Sequence, residues 1–422
     1  MNRRVVVTGM GVVAPNGIGV PAFLQSVQQG SSGLRFVPEY RDLHFNCQVT
    51  GEPAFDIDSL TDIVPPVVLH GLKSKVIAYA VKAASEAWAD AGLSIDPGET
   101  HWDTGCVFAG SVTDTIIIKN VIGKVDAKEA RKLGSRVVEQ LMGSGAAAYV
   151  SGLLGLGNRV MSNSAACATG SQAVLIGYEY IKHGMANRMV TGSAEYIDPY
   201  IFGAFDSMRI LSRKFNDDPT RASRPMSATA GGFVPGSGAA ALVLEERESA
   251  LARNATIYAE VLGGAHNSGG QRNGGTMTAP GREGVLRCIE AAVKDAAIQP
   301  GDVDLISGHL TATGADKFEI QNWATALSLN PGNFPYVNSL KSMVGHCLSA
   351  AGSIEIVAVI LQIIHGFIHA NINLEDPNPE IVAMTGLDAL PVTMLKKEID
   401  VVAKANFGFG DVNTCLFFSK HT

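Results

Sequence analysis

Short apolar runs alternate with amphipathic stretches along the whole chain. Val5 to Val7 is β-branched and bounded by glycine, which predicts a buried strand. From Lys73 to Ala91 the side chains of Ile77, Val81, Ala84 and Trp88 fall on one helical face, and Gly92 supplies a stop. Gly105 to Ala109 predicts a further strand. Gly170 to Lys182 predicts a helix closed by Gly184, and Met189 to Thr191 and Ala239 to Leu244 predict two more strands. A second series follows Arg253. Its strands are expected at Ile257 to Leu262, Leu305 to Ile306 and Val401 to Ala405. Its helices are marked by Val285, Ile289 and Val293, and by Ile354 to Ile364. Such alternation predicts an α/β protein with largely buried sheets. The charged stretch Glu245 to Arg253 marks a seam, so the expected halves are 1–253 and 254–422, with no sequence repeat between them.

Composition narrows the function. A chain of 422 residues, 46% hydrophobic and 17% charged, is folded rather than disordered. A net charge of -7 argues against nucleic acid as the main partner. Six cysteines are spread thinly with no C-x-x-C pair, the pattern of a reduced, cytoplasmic protein rather than a disulfide scaffold or zinc knuckle. Pro15 and Asn16 interrupt the first apolar run too early for an export signal. The run from Ile354 to Ile368 carries Glu355, Gln362 and His365. It reads as a buried helix, too short and polar to cross a membrane.

One cysteine is placed for chemistry. Asn163-Ser164-Ala165-Ala166-Cys167-Ala168-Thr169-Gly170 sets Cys167 among small residues directly before a predicted helix. Unpaired N–H groups and the positive end of the helix dipole there would favour a thiolate, and the backbone N–H of Cys167 could serve an oxyanion hole. Cys106 and Cys415 sit in strand-like apolar runs, Cys288 lies inside a helix, and Cys347 merely neighbours a histidine. His309 follows an apolar strand and opens into Leu310-Thr311-Ala312-Thr313-Gly314, while His346 precedes a small-residue helix start. A sulfur and two neutral imidazoles suit nucleophilic chemistry better than metal binding, since no fourth ligand stands out. Lys341 could tune their protonation, and Glu319 could neutralise Lys341. Asn406 to Asn413 alternates glycine and phenylalanine, a plain hairpin or a pocket wall. Gly9-Met10-Gly11 fails as a dinucleotide motif, because Ala14 stands where the third glycine belongs.

Taken together, these segments resemble the β-ketoacyl-acyl-carrier-protein synthases, the elongating type II condensing enzymes. The resemblance runs end to end. It is carried by Val5 to Pro15, Ala166 to Gly170, Met277-Thr278-Ala279-Pro280, His309 to Thr313, Asn338 to Gly352, and Asn406 to Asn413. It implies a thiolase-like five-layered αβαβα fold of two similar βαβαβαββ halves, usually as a homodimer. It also implies a Cys167-His309-His346 triad that condenses a cysteine-bound acyl chain with decarboxylating malonyl-carrier protein. By the same resemblance, the N–H groups of Cys167 and Phe407 form the oxyanion hole and Phe407 gates the pocket. Thr278, Thr311 and Thr313 face the substrate arm, and Lys341 and Glu319 form a supporting pair. Lys73, Lys75, Arg213 and Lys214 are docking candidates for an acidic acyl carrier protein. No resident cofactor is expected, because phosphopantetheine arrives on the carrier.

The departures point away from housekeeping elongation. Leu310 stands where the family has glycine, the loop to Asp316 is one residue shorter, and Asp411 replaces a glycine. Met226-Ser227, Ala230-Gly231 and Ser237 replace other family residues. The His309 to Thr313 and Phe407 to Asn413 forms resemble the aryl-polyene or flexirubin-type branch. The alternative is a non-catalytic chain-length-factor subunit of a heterodimer, in which the cysteine is normally replaced. A thiolase would need a second cysteine in the tail, where there is none. A cysteine hydrolase would leave the second histidine and the threonine loop unexplained.

Overall fold

The computed structural model describes residues 3–110 and 114–421. Ten strands lie on one continuous path. In chain order they are β1 (Val5–Ala14), β2 (Thr104–Ala109), β3 (Val160–Met161), β4 (Arg188–Glu195), β5 (Gly238–Glu246), β6 (Ala259–Ser268), β7 (Leu305–Ser307), β8 (Tyr336–Asn338), β9 (Val401–Gly408) and β10 (Val412–Ser419). Across the sheet they run β8-β7-β9-β10-β6-β1-β5-β4-β2-β3. Outward from the centre one half reads 1-5-4-2-3 and the other 6-10-9-7-8, the same order shifted by five. Pairing directions match as well. The two inner pairs of each half are antiparallel and the two outer pairs parallel.

Helices fall at matching places. The first half inserts α1 (Lys75–Asp90), α2 (Gly145–Leu154) and α3 (Thr169–Lys182). The second inserts α4 (Arg282–Ala296), α5 (Asp316–Ala326) and α6 (Ala351–His365). Each half is therefore βαβαβαββ, a duplication written in backbone order rather than in side chains. The halves join where Val5–Val7 of β1 pairs with Ala259–Val261 of β6. Helices α3 and α6 touch each other and strands of both halves, forming the middle of five layers, while α1 and α4 cover the outer faces. This is the αβαβα arrangement that the resemblance implies.

Burial explains the middle layer. A helix that is apolar all round must be covered all round. The segment Leu348–His365 meets the length and hydropathy of a membrane-crossing helix, yet 89% of it is buried inside the protein. Gly9 and Gly11 have a packing role. A Cβ at Gly9 would sit 2.1 Å from the Ala87 carbonyl oxygen, and one at Gly11 2.0 Å from that of Ala83. Glycine there lets α1 lie directly on β1.

The periodic elements appear close to where the sequence predicts them. The strand expected at Ile257 begins at Ala259 and continues to Ser268. Strands β3 and β8, two and three residues long, are too short to show a period. Replacing Gly11 by valine should destabilise the fold by about 3 kcal/mol through forced separation of α1 from β1. Urea unfolding would measure it, and an unchanged midpoint would mean that the close approach is not obligatory.

Candidate active site

Cys167 lies in a one-turn 3-10 segment, Ala166–Ala168, immediately before α3. Ala166 adopts a left-handed φ of 47°. Thr169 Oγ1 holds this turn by accepting from the Ala165 amide at 2.9 Å and donating to the Ala166 carbonyl at 2.6 Å. In the second half His346 occupies the matching position, between β8 and α6. The first turns of α3 and α6 abut: a Cβ at Gly170 would lie 2.5 Å from the Ser353 amide nitrogen, and one at Gly352 2.4 Å from that of Ser171. His309 enters from the loop after β7. The Sγ of Cys167 and one ring nitrogen of each histidine lie within 4.8 Å of one another. The two imidazole rings are 5.3 Å apart and nearly perpendicular. All three side chains line a cavity of about 630 Å3, whose walls include Phe233, Phe407 and Phe409.

Burial sets the charge states. Both imidazoles are disfavoured as cations by desolvation first and by Lys341 next, so His309 lies well below its ordinary pKa and His346 falls to about 3. They are neutral hydrogen-bonding groups near neutral pH. The sulfur departs from expectation. Desolvation raises the Cys167 thiol to about 11, against the pull of Lys341 and of the Phe409 and Cys167 amides. The resting sulfur is thus a thiol, and the short 3-10 turn does not leave it ionised.

The supporting residues also differ from expectation. Lys341 pairs with Glu355, not with Glu319. Lys404 binds the other oxygen of Glu355 at 2.8 Å and donates to the Ser307 and Ala405 carbonyls. All three charged groups are buried. Asn406 Nδ2 donates to Glu355 Oε2 at 3.0 Å and reaches His309 Nδ1 at 3.4 Å. Two ammonium groups around one carboxylate leave this floor cationic, which disfavours a dication among the nearby Cys167, His309 and His346. Glu355, Lys404 and Asn406 were missed in the sequence reading. The available signal was a lone acid in an apolar helix and a lone lysine in an apolar strand, each of which needs a partner.

Glu319 instead fixes the loop that carries His309. Its two oxygens accept from the His309 and Leu310 amides, both at 2.7 Å. Asp316 accepts from the Thr311 amide at 2.9 Å and the Ala312 amide at 3.1 Å. Burial pushes these carboxyls up, to about 7 for Glu319 and about 6 for Asp316. The anchors hold Leu310 and Ala312 at left-handed φ of 22° and 63°. They explain how this loop tolerates leucine where glycine is usual: the Leu310 side chain is fully buried and Ser339 Oγ donates to its carbonyl at 2.9 Å. Thr311 and Thr313, with hydroxyls 3.0 Å apart, line the cavity together with Thr278.

The tail is both hairpin and wall. β9 and β10 pair in register from Val401↔Ser419 to Gly408↔Val412. The Phe407 ring packs 6.1 Å from that of His309 and into the core. Beside the Cys167 amide itself, the backbone amide that stabilises the sulfur anion belongs to Phe409 and not, as expected, to Phe407. A Cβ at Gly408 would lie 2.7 Å from the Ala165 carbonyl oxygen and 3.1 Å from the Cys167 nitrogen, which ties the tail closely to the nucleophile turn. Asp411 accepts from the Gln271 and Gly281 amides at 2.9 and 2.7 Å, binding the hairpin to the loop bearing Thr278.

The basic candidates separate. Arg213 and Lys214 are exposed and follow Ile210, a cavity-lining residue. Lys73 is exposed beside a different depression. Lys75 is half-buried, bound to Glu52 at 2.8 Å and stacked on Tyr196, so it does not offer a free charge. Arg282, missed in the sequence reading, lies exposed on the cavity wall.

With this geometry, the chain is a thiolase-fold protein with a cysteine and two neutral histidines at the floor of a deep cavity. It belongs to the beta-ketoacyl synthase family: residues 2–250 match the family's N-terminal domain and 258–375 its C-terminal domain. It is 34% identical to 3-oxoacyl-acyl-carrier-protein synthase 2 of Coxiella burnetii, over 99% of both chains. It is 32% identical to the protein of the same name from Rhizobium meliloti, over 100% of this chain and 99% of the relative. Among solved structures it resembles a beta-ketoacyl synthase from Burkholderia phymatum with TM-score 0.90, 30% identity and full coverage of both chains. A type II polyketide ketosynthase, solved in complex with its acyl carrier protein, matches with TM-score 0.86, 29% identity and full coverage of both chains.

Two outcomes are expected. Glu355→Ala leaves two buried ammonium groups without their carboxylate and should cost about 3–5 kcal/mol in chemical denaturation. A loss under about 1 kcal/mol would mean that water compensates them. Alkylation of Cys167 by iodoacetamide, followed by peptide mass analysis, should accelerate steadily with pH toward about 11. A rate already level at neutral pH would reveal a resting thiolate.

Proposed function

We propose that the protein is a catalytic condensing enzyme that extends an acyl chain on an acyl carrier protein by decarboxylative Claisen condensation. The observation that carries this reading is the convergence of the Cys167 sulfur with two neutral imidazoles at the cavity floor. The sulfur attacks an acyl thioester, the pantetheine thiolate leaves, and the proton lost by Cys167 ends on that thiol. Malonyl-carrier protein then loses carbon dioxide. His309 and His346, as N–H donors, stabilise the enolate oxygen without having to act as bases. The enolate carbon attacks the acyl-Cys167 carbonyl, the amides of Cys167 and Phe409 hold the tetrahedral oxyanion, and the sulfur leaves as thiolate to release a 3-oxoacyl-carrier protein and then takes a proton from solvent to restore the thiol.

The same reading expects no resident cofactor and a cytoplasmic location, in keeping with six cysteines that are all free. Thr278, Thr311 and Thr313 are the polar wall for the pantetheine arm, and Arg213, Lys214 and Arg282 supply positive charge for an acidic carrier. A second copy of the chain is the expected partner. Ile116, Ile122 and Val125 are 45%, 55% and 51% exposed on the helix Thr115–Asp126, an apolar surface that association would cover. The His309 to Thr313 loop and the Asp411 hairpin favour a specialised pathway of the aryl-polyene type over housekeeping elongation. A chain-length-factor role is less well supported, because the nucleophile and both histidines are present and brought together.

Cys167→Ala should abolish condensation with malonyl-carrier protein, and undiminished product from that variant would end the proposal. His309→Ala should lower decarboxylation about 100-fold, the usual cost of one oxyanion donor. Arg213→Glu should raise the apparent KM for carrier protein while leaving kcat near wild type. An unchanged KM would remove Arg213 from the docking surface.

A further inference from the structure

We propose that Asn406 is a positioning residue: its carboxamide, oriented by Glu355 and Ser171, fixes His309 with its proton on Nε2. The inference rests on the catalytic reading above and assigns a role to a residue whose side chain lies under the triad rather than in the cavity.

The argument follows donors and acceptors. Glu355 is held ionised by Lys341 and Lys404, its pKa depressed to about 2, so both of its oxygens can only accept. The Asn406 group facing Glu355 Oε2 at 3.0 Å must therefore be the NH2. The opposite end is the oxygen, and Ser171 Oγ donates to it at 2.5 Å. The carboxamide has no second orientation that satisfies both neighbours. Its NH2 carries two hydrogens. One is used by Glu355, and the other points toward His309 Nδ1 at 3.4 Å. A ring nitrogen facing a donor must offer its lone pair, so Nδ1 is bare and the ring proton sits on Nε2. Nε2 is then the N–H that remains for the cavity, where the enolate oxygen develops.

The alternative tautomer would set Nδ1–H against the Asn406 NH2 and present a lone pair to a forming anion. Both contacts would be repulsive. The charged groups that act on this ring from neighbouring elements are Lys341 and Lys404, His346 packs beside it, and Glu355 reaches it only through Asn406. Among the described residues, the side-chain partner of Nδ1 is the Asn406 NH2, which cannot accept.

The test is 15N NMR of the full-length protein labelled at histidine, with His309→Gln used to assign the signal. In the wild type the His309 ring should show a protonated Nε2 and a bare Nδ1 at neutral pH. Asn406→Asp replaces the donor by an acceptor, and because two lysines already face one carboxylate, a second carboxylate is electrostatically accommodated. In that variant the proton should move to Nδ1 or the ring should become doubly protonated, and kcat for decarboxylation should fall about 100-fold. Asn406→Leu, which keeps the approximate volume, should give a mixture of tautomers and an intermediate kcat. A wild-type ring protonated on Nδ1 would overturn the inference whatever the variants do. So would an unchanged tautomer in whichever variant folds. If the wild type shows no condensation while the tautomer pattern is as expected, the catalytic reading fails and the positioning stands. If condensation is present and the pattern is not, the reverse holds.

Discussion

The carboxylate of Glu355, fully enclosed and shared by two lysines, is the constraint on which the site depends. Burying three charges is costly, and the cost is offset only while every partner stays in place. That requirement couples three distant parts of the chain. Glu355 comes from the middle-layer helix α6, Lys341 from the short helix Lys341–Val344 before His346, and Lys404 from the strand that leads to the Phe407 and Phe409 tail. The surplus positive charge helps keep both imidazoles neutral and lowers the energy of an anion forming above them.

Around this floor, the loop after β7 is fixed by carboxylates rather than by glycine. Glu319 and Asp316 bind consecutive amides, and the backbone accepts left-handed conformations at Leu310 and Ala312 that it would otherwise avoid. The tail hairpin is fixed in the same manner by Asp411. The departures at Leu310 and Asp411 thus each have a local partner that makes them structurally sound.

Much of the site could be read in the sequence because nucleophile, histidines and threonines stand in short segments with distinctive neighbours. Cys167 and the two histidines meet as expected. What could not be read was pairing across the chain. Glu319 looked suitable for Lys341, yet the fold delivers Glu355 instead, and spacing along the chain cannot show which acid a buried lysine reaches. The tail amide that reaches the sulfur lies two residues beyond the expected one, because Phe407 and Phe409 alternate identically in sequence and only the hairpin turn distinguishes them. The charge state of the sulfur was misjudged because desolvation depends on the completed cavity. The architecture was legible at the apolar strand runs and at helices α1, α3, α4 and α6, while helices α2 and α5, the short strands β3 and β8, and the repeat itself were visible only in the topology.

The abutting first turns of α3 and α6 have a consequence for the field within the molecule. Duplication has brought two equivalent helix beginnings head to head, so that their partial positive charges reinforce one another at the single spot where Cys167 and His346 meet. Neither repeat could build that spot alone: one contributes the sulfur, the other both imidazoles, and the electrostatic sink for the migrating electron pair exists only at their junction.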